Sequence, residues 1–171
     1  MTATPISPRP THTAAAVLVG LGMAATVGGA LLFQHWGGYM PCKLCLEQRT
    51  PYYLGIPVMA AAALSSFLRG PAMLTRALLA LGGALMLWGA WQGAFHSGVE
   101  WGWWAGPTDC GAVAPSVDTG NRGVLDALND VVPPSCDKAA LRIAGLSLAG
   151  WNFLIALALA AVAFWGAARR R

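Results

Sequence analysis

Residues 77–99 read ALLALGGALMLWGAWQGAFHSGV, a run without a single Lys, Arg, Asp or Glu, bounded by Arg76 and Glu100. A helix of about 20 apolar residues crosses roughly 30 Å of hydrocarbon. A backbone in lipid must satisfy its own polar groups, so such a run is read as a helix and not as an open strand. The same charge map leaves three more empty stretches, between Arg9 and Lys43, between Arg49 and Arg69, and between Arg142 and Arg169. Spans are therefore expected at about 14–33, 51–68, 72–94 and 149–167. The second is short and carries Pro57, which is expected to bend it.

Composition agrees. The chain has 171 residues, of which 56% are hydrophobic and only 11% charged, where a soluble domain has about a quarter charged. The net charge of +4 is distributed among the ends of the spans and is not read as a nucleic-acid footprint. One side of the expected bundle carries Arg9, Arg69, Arg76, Arg169, Arg170 and Arg171 and no acid. The other carries Lys43, Arg49, Arg122, Lys138 and Arg142 together with all seven acids. By the positive-inside rule the arginine-only side, with both termini, is cytoplasmic. The first run is too long for the core of a cleaved signal, and FQHWGGYM at its end offers no small-x-small site. It is read as an anchor behind a disordered cytoplasmic tail, residues 1–13. The transmembrane domain covers 14–168, and 169–171 form the cytoplasmic C-terminus.

All four cysteines then face an oxidising space, where disulfides persist. The first outward loop, about 34–50, contains PCKLCLEQR at 41–49, with Cys42 and Cys45 at C-x-x-C spacing. The second, about 95–148, contains Cys110 and Cys136 and opens with HSGVEWGWWAGPTDCG. Its tryptophans suit an interfacial aromatic belt. Within it, VLDALNDVV sets Val124, Leu125, Leu128, Val131 and Val132 largely on one face, which predicts a short surface helix. A Cys110–Cys136 bridge read alone is a structural staple. A Cys42–Cys45 bridge closes too small a ring to staple much, and such pairs tune thiol acidity for exchange. Leu46 stands where haem attachment needs a histidine. Four thiolates could hold zinc, but the second pair is too widely spaced for a knuckle, and no metal is expected.

A disulfide that is repeatedly reduced must pass two electrons on. No flavin, haem or dinucleotide fingerprint is present, so the nearest sink is a membrane quinone. Arg49, where the first loop enters the second span, would favour a thiolate at Cys45 and a reduced, anionic quinone oxygen; the plainer reading is an arginine snorkelling to the interface. His35 and His96 both fall near the outer face and are candidate proton carriers, though each could simply be an interfacial histidine.

Three stretches, QHWGGYMPCKLCLEQR, HSGVEWGWWAGPTDC and PPSCDKAALRIAGLSLAGWNFL, resemble the DsbB family of bacterial inner-membrane disulfide-forming quinone reductases. The resemblance covers nearly all of the chain after its N-terminal tail. It implies an all-α membrane protein, a four-transmembrane-helix bundle with two periplasmic loops, the second long and carrying the surface helix. It further implies that Cys110 is attacked by a reduced periplasmic DsbA-like thiol oxidase, and that Cys136, its disulfide partner, passes electrons to Cys42. Cys45 would face ubiquinone or menaquinone, supported by Arg49, with His96 a candidate on the quinone side. Other readings stay open. A vitamin K epoxide reductase-like enzyme shares the chemistry but carries its quinone-facing C-x-x-C in a late span. A non-enzymatic membrane protein with two structural disulfides would keep its cysteines oxidised when quinone is withheld.

Overall fold

A computed structural model of the chain describes residues 10–107 and 135–169. Five helices and one small hairpin make up the described part: α1 (Pro10–His35), α2 (Lys43–Glu47), α3 (Thr50–Phe67), α4 (Ala72–Glu100), β1 (Arg142–Ile143), β2 (Leu146–Ser147) and α5 (Leu148–Ala168). Helices α1, α4 and α5 are long and apolar enough to cross a membrane. Helix α3 packs between α1 and α4. It begins with Pro51 in its first turn, where a missing N–H costs nothing, and continues as helix through Pro57.

Hydrogen bonds at the two ends give the direction of each helix. At one end, His12 Nε2 lies 3.1 Å from the Arg169 carbonyl oxygen, Arg76 Nε donates to the Ala167 carbonyl at 2.7 Å, and Thr13 Oγ1 donates to Ser66 Oγ at 2.8 Å. Ser65 and Thr75 join α3 to α4 there, with hydroxyls 3.0 Å apart. At the other end, Arg49 donates to Gln34 Oε1 at 2.7 Å, so the end of α1 meets the start of α3. The long helices and α3 therefore run alternately up and down. The starts of α1 and α4 share an end with the finishes of α3 and α5, and Cys42, Cys45 and Cys136 lie at the opposite end.

The interior is built from small and flexible side chains. Ala15, Ala16, Ala62, Ala90, Ala156, Ala160 and Ala163 are buried with Met23, Met59, Met86 and Leu79. Large apolar residues such as Leu21, Phe67, Leu81, Trp91 and Trp165 lie exposed. In water this inverted pattern would be an aggregation liability. In lipid it is the expected arrangement, because tails are as apolar as leucine and close packing through small residues drives helix association.

Three expectations change. Helix α4 does not stop near residue 94 but runs to Glu100. The charge at 100 is turned inward rather than marking a solvated loop, and its side chain is only 4% exposed. Helix α1 begins at Pro10, so the expected tail gives up its last residues to helix. Residues 142–147, expected as loop, form an antiparallel hairpin pairing Arg142 with Ser147 and Ile143 with Leu146. Its turn places Ala144 at φ 51° and Gly145 at φ 82°, the two left-handed positions of a tight primed turn. Ser147 then caps α5 by accepting from the Gly150 N–H. The tryptophans at the end of α4 stack on the helix: Trp104 lies 5.8 Å from the Phe95 ring, centroid to centroid, and donates to the Phe95 carbonyl. Cys110 and the helix expected at 124–132 lie outside the described residues.

Candidate thiol site

The loop after α1 returns at Pro41, and Cys42 caps the short helix α2: its sulfur accepts from the Cys45 N–H at 3.4 Å. One turn of helix brings residues three apart onto one face, and the Cys42 thiol donates to the Cys45 sulfur at 3.0 Å. Cys42, Cys45 and Cys136 are free thiols among the described residues. The two sulfurs of the first pair are thus in contact. Cys42 and Cys136 are both buried and pack with Leu44 and Val99, flanked by Cys45 and Phe95.

The two loop thiols differ in acidity. Cys45 is held below the usual thiol range, first because the Cys42 thiol donates to it; burial opposes this, and the Arg49 charge contributes least in the same downward direction. Cys42, the donor of that bond, is pushed up to about 12, with burial adding to the rise and His96 opposing it. Burial likewise raises Cys136, against the backbone N–H of Leu44, while the nearby Cys42 sulfur raises it further. Cys136 therefore reaches the start of α2 beside Cys42, although 94 residues separate them in the chain.

Two cavities meet at Cys45. The larger, about 400 Å³, runs between α1 and α5; its wall is mostly apolar (Val27, Ala30, Phe33, Leu148 and Ile155 among others), with Gln34, Cys45, Gln48, Arg49 and Asn152 as its polar side. The smaller, about 260 Å³, is lined by Cys42, Cys45, His96, Glu100, Ser135 and Lys138. Arg49, at the entry of α3, belongs to the larger cavity with Cys45, as its position in the sequence suggests. His96 does not line that cavity. It is buried against Cys42, with Nε2 3.8 Å from the sulfur and 3.9 Å from Glu100 Oε1. The reason is the longer α4, which keeps His96 on the inner face; His35, which the charge map also places near the outer face, is exposed.

Behind His96 runs a chain of polar side chains. Gln48 Nε2 lies 2.6 Å from His96 Nδ1, Asn152 Nδ2 donates to Gln48 Oε1 at 2.7 Å, and Tyr52 Oη donates to Asn152 Oδ1 at 2.6 Å. None of these three stands out in the sequence. Their signal there is weak: a glutamine, a tyrosine and an asparagine inside or beside apolar spans, where polar groups are costly and seldom idle. Cys42, Cys45 and His96 also bring one sulfur or nitrogen each within 4.8 Å of one another, which a thiophilic ion could bridge only with a lone pair on Nε2.

A family model described as disulfide bond formation protein DsbB matches residues 12–166. The chain belongs to the DsbB family. It is also similar to "Disulfide bond formation protein B" of Polaromonas sp. (strain JS666 / ATCC BAA-500), with 28% identity over 160 residues, 85% of this chain and 84% of that protein. No solved structure matches it. With its apolar helices, this member of the DsbB family is a membrane protein of disulfide bond formation. Its exposed leucines and tryptophans, its antiparallel helices and its thiol-bearing end thus belong to one oxidoreductase architecture.

Proposed function

We propose that this DsbB-family chain is a protein-dithiol:quinone oxidoreductase of the bacterial inner membrane, with α3 as a fourth span, both termini cytoplasmic and the thiols periplasmic. The observation that carries this reading is Cys45, shared by a cavity holding Cys42, His96 and Glu100 and an apolar one open between α1 and α5. A membrane quinone, ubiquinone or menaquinone, suits the second in chemistry: the helices would hold its apolar body, and Arg49 and Gln48 would offer N–H donors to its carbonyl oxygens. When bound, it supplies the acceptor for two electrons and two protons.

The exchange balances in atoms and electrons. The reduced DsbA-like partner attacks Cys110 of a Cys110–Cys136 disulfide, and Cys136 leaves as thiolate. The partner's second thiol displaces Cys110, so the partner departs oxidised. Cys136 then attacks Cys42 of a Cys42–Cys45 disulfide, releasing Cys45 as thiolate toward the larger cavity. Cys110 displaces Cys42 from Cys136, restoring its own bridge and leaving Cys42 and Cys45 reduced. Reforming the Cys42–Cys45 bond releases two electrons and two protons, which a bound quinone would take up. Each hand-over is attack of a thiolate on a disulfide sulfur, so a missing resolving thiol traps a mixed disulfide. The contact of Cys136 with Cys42 supports the third step. The low Cys45 thiol supports its role as leaving group, since a more acidic thiol leaves faster.

The test is a pair of variants. A partner whose second cysteine is replaced by serine should accumulate an intermolecular disulfide with Cys110 on non-reducing gels, with Cys136 released as thiol. Cys45→Ser should abolish quinone reduction, read by quinone absorbance, while Cys110 still reacts with the partner. Wild-type quinone reduction by Cys45→Ser would refute this order of hand-overs.

A further inference from the structure

The polar chain behind His96 has a direction, and one atom sets it. Asn152 Nδ2 lies 3.4 Å from the Gly89 backbone carbonyl as well as 2.7 Å from Gln48 Oε1. A backbone carbonyl only accepts, so the NH₂ of Asn152 must face it, and the Asn152 oxygen is left to accept from Tyr52. The same NH₂ then donates to Gln48, which must offer its oxygen. That turns the Gln48 NH₂ toward His96 Nδ1, 2.6 Å away. A ring nitrogen receiving an N–H cannot carry its own proton, and in the neutral imidazole the proton then sits on the other nitrogen. Nε2–H therefore faces Cys42.

We propose that Gln48 and Asn152 are positioning residues that hold His96 in its Nε2–H tautomer, so that the Cys42 thiol keeps its proton for the bond to Cys45. This deepens the proposed thiol–quinone reading and rests on it for its purpose. With a lone pair on Nε2, His96 would accept the Cys42 proton, and the pair would ionise at Cys42 as a thiolate beside an imidazolium. With a proton there, His96 can only donate to the Cys42 sulfur. The Cys42 hydrogen is then free to point at Cys45, which agrees with a Cys45 thiol held below the usual range and a Cys42 thiol pushed above it. The network thus selects which sulfur becomes the anion, and it selects the one that lines the larger cavity.

The test uses reduced full-length protein in detergent without quinone or partner, so a failed relay and a failed tautomer assignment are told apart. Histidine-labelled protein is examined by ¹⁵N NMR, with His96→Phe identifying the His96 signals among those of the three histidines. The wild type should show a protonated Nε2 and an unprotonated Nδ1; the reverse overturns the proposal before any variant is made. Gln48→Glu presents only acceptors to Nδ1 and should move the ring proton there. Asn152→Asp touches neither His96 nor the cysteines, yet should do the same, because its carboxylate forces the Gln48 amide to turn over. In both variants the ratio of Cys45 to Cys42 alkylation should fall about tenfold, the scale of one hydrogen bond to a charged sulfur. Cys136, which packs with Cys42, and Glu100 and Lys138, which line the cavity that holds both sulfurs, are unchanged throughout. A ring that keeps its wild-type nitrogen shifts in both folded variants, or a swapped tautomer with an unchanged alkylation ratio, refutes it.

Discussion

One proton separates the two sulfurs of the first loop. Cys42 holds it and Cys45 shares it, so the lower Cys45 range depends chiefly on the Cys42 thiol and only weakly on Arg49. The sign follows: Cys45 is a thiolate at pH values where an ordinary thiol is still protonated, and removing the donor must raise its titration. Cys42→Ala should therefore shift the pH midpoint of Cys45 alkylation upward and slow the reaction near neutral pH by about tenfold; an unmoved midpoint would assign the acidity to Arg49 instead. Arg49 has a different task, donating to Gln34 at the polar wall of the larger cavity. Arg49→Lys keeps the charge but loses the planar fork, so the KM for quinone should rise, and Arg49→Gln should raise it more. Both cysteines and Arg49 were legible in the sequence because C-x-x-C spacing and a cation at a span boundary are local patterns. Gln48 and Asn152 were not. Their meaning lies in contacts between residues 104 apart, and an isolated amide near a membrane interface reads as solvated.

At the scale of elements, α4 meets the backbone of α5 at Gly93. A Cβ added at Gly93 would stand 2.8 Å from the Phe153 backbone nitrogen and 3.1 Å from the Ala149 carbonyl oxygen, whereas one at Gly89 would meet Pro51 and Ala156 at ordinary contact distance. Backbone cannot yield as a side-chain tip can, so Gly93→Leu must separate the helices. It should lower the melting temperature in detergent clearly, while Gly89→Ala should leave it nearly unchanged; equal effects would remove close backbone packing as the cause. Gly89 and Gly93 stand at G-x-x-x-G spacing in the sequence, and the charge-free runs located the helices to within a few residues. They misjudged the end of α4 because a charge was read as the edge of water. Glu100 is instead buried at the i+4 position from His96, with Oε2 lacking a partner among the described residues. The hairpin at 142–147 was missed for another reason: Ala144 adopts a left-handed conformation for which alanine gives no signal.

The whole molecule is polar at both ends, in different ways. One end gathers Arg69, Arg76 and Arg169 with His12, Thr13 and Ser66; Arg76 is tied to the last turn of α5, and the Arg169 guanidinium lies 4.5 Å from the Trp165 ring centroid. The other end gathers the thiols, Glu47, Glu100 and Lys138. Cationic ends of short connectors stay on the cytoplasmic side, so the arginine end should face the cytoplasm and the thiols the oxidising side, where a disulfide relay has a use. Two exposed positions test this in a cysteine-free background: Met73, at the start of α4, and Trp101, just past its end. In intact spheroplasts a membrane-impermeant maleimide should label Trp101→Cys and spare Met73→Cys until the membrane is permeabilised. The reverse pattern would put the thiols in a reducing compartment and remove the basis for the relay. Labelling of both before permeabilisation would mean that α4, the helix that carries His96, does not span the bilayer.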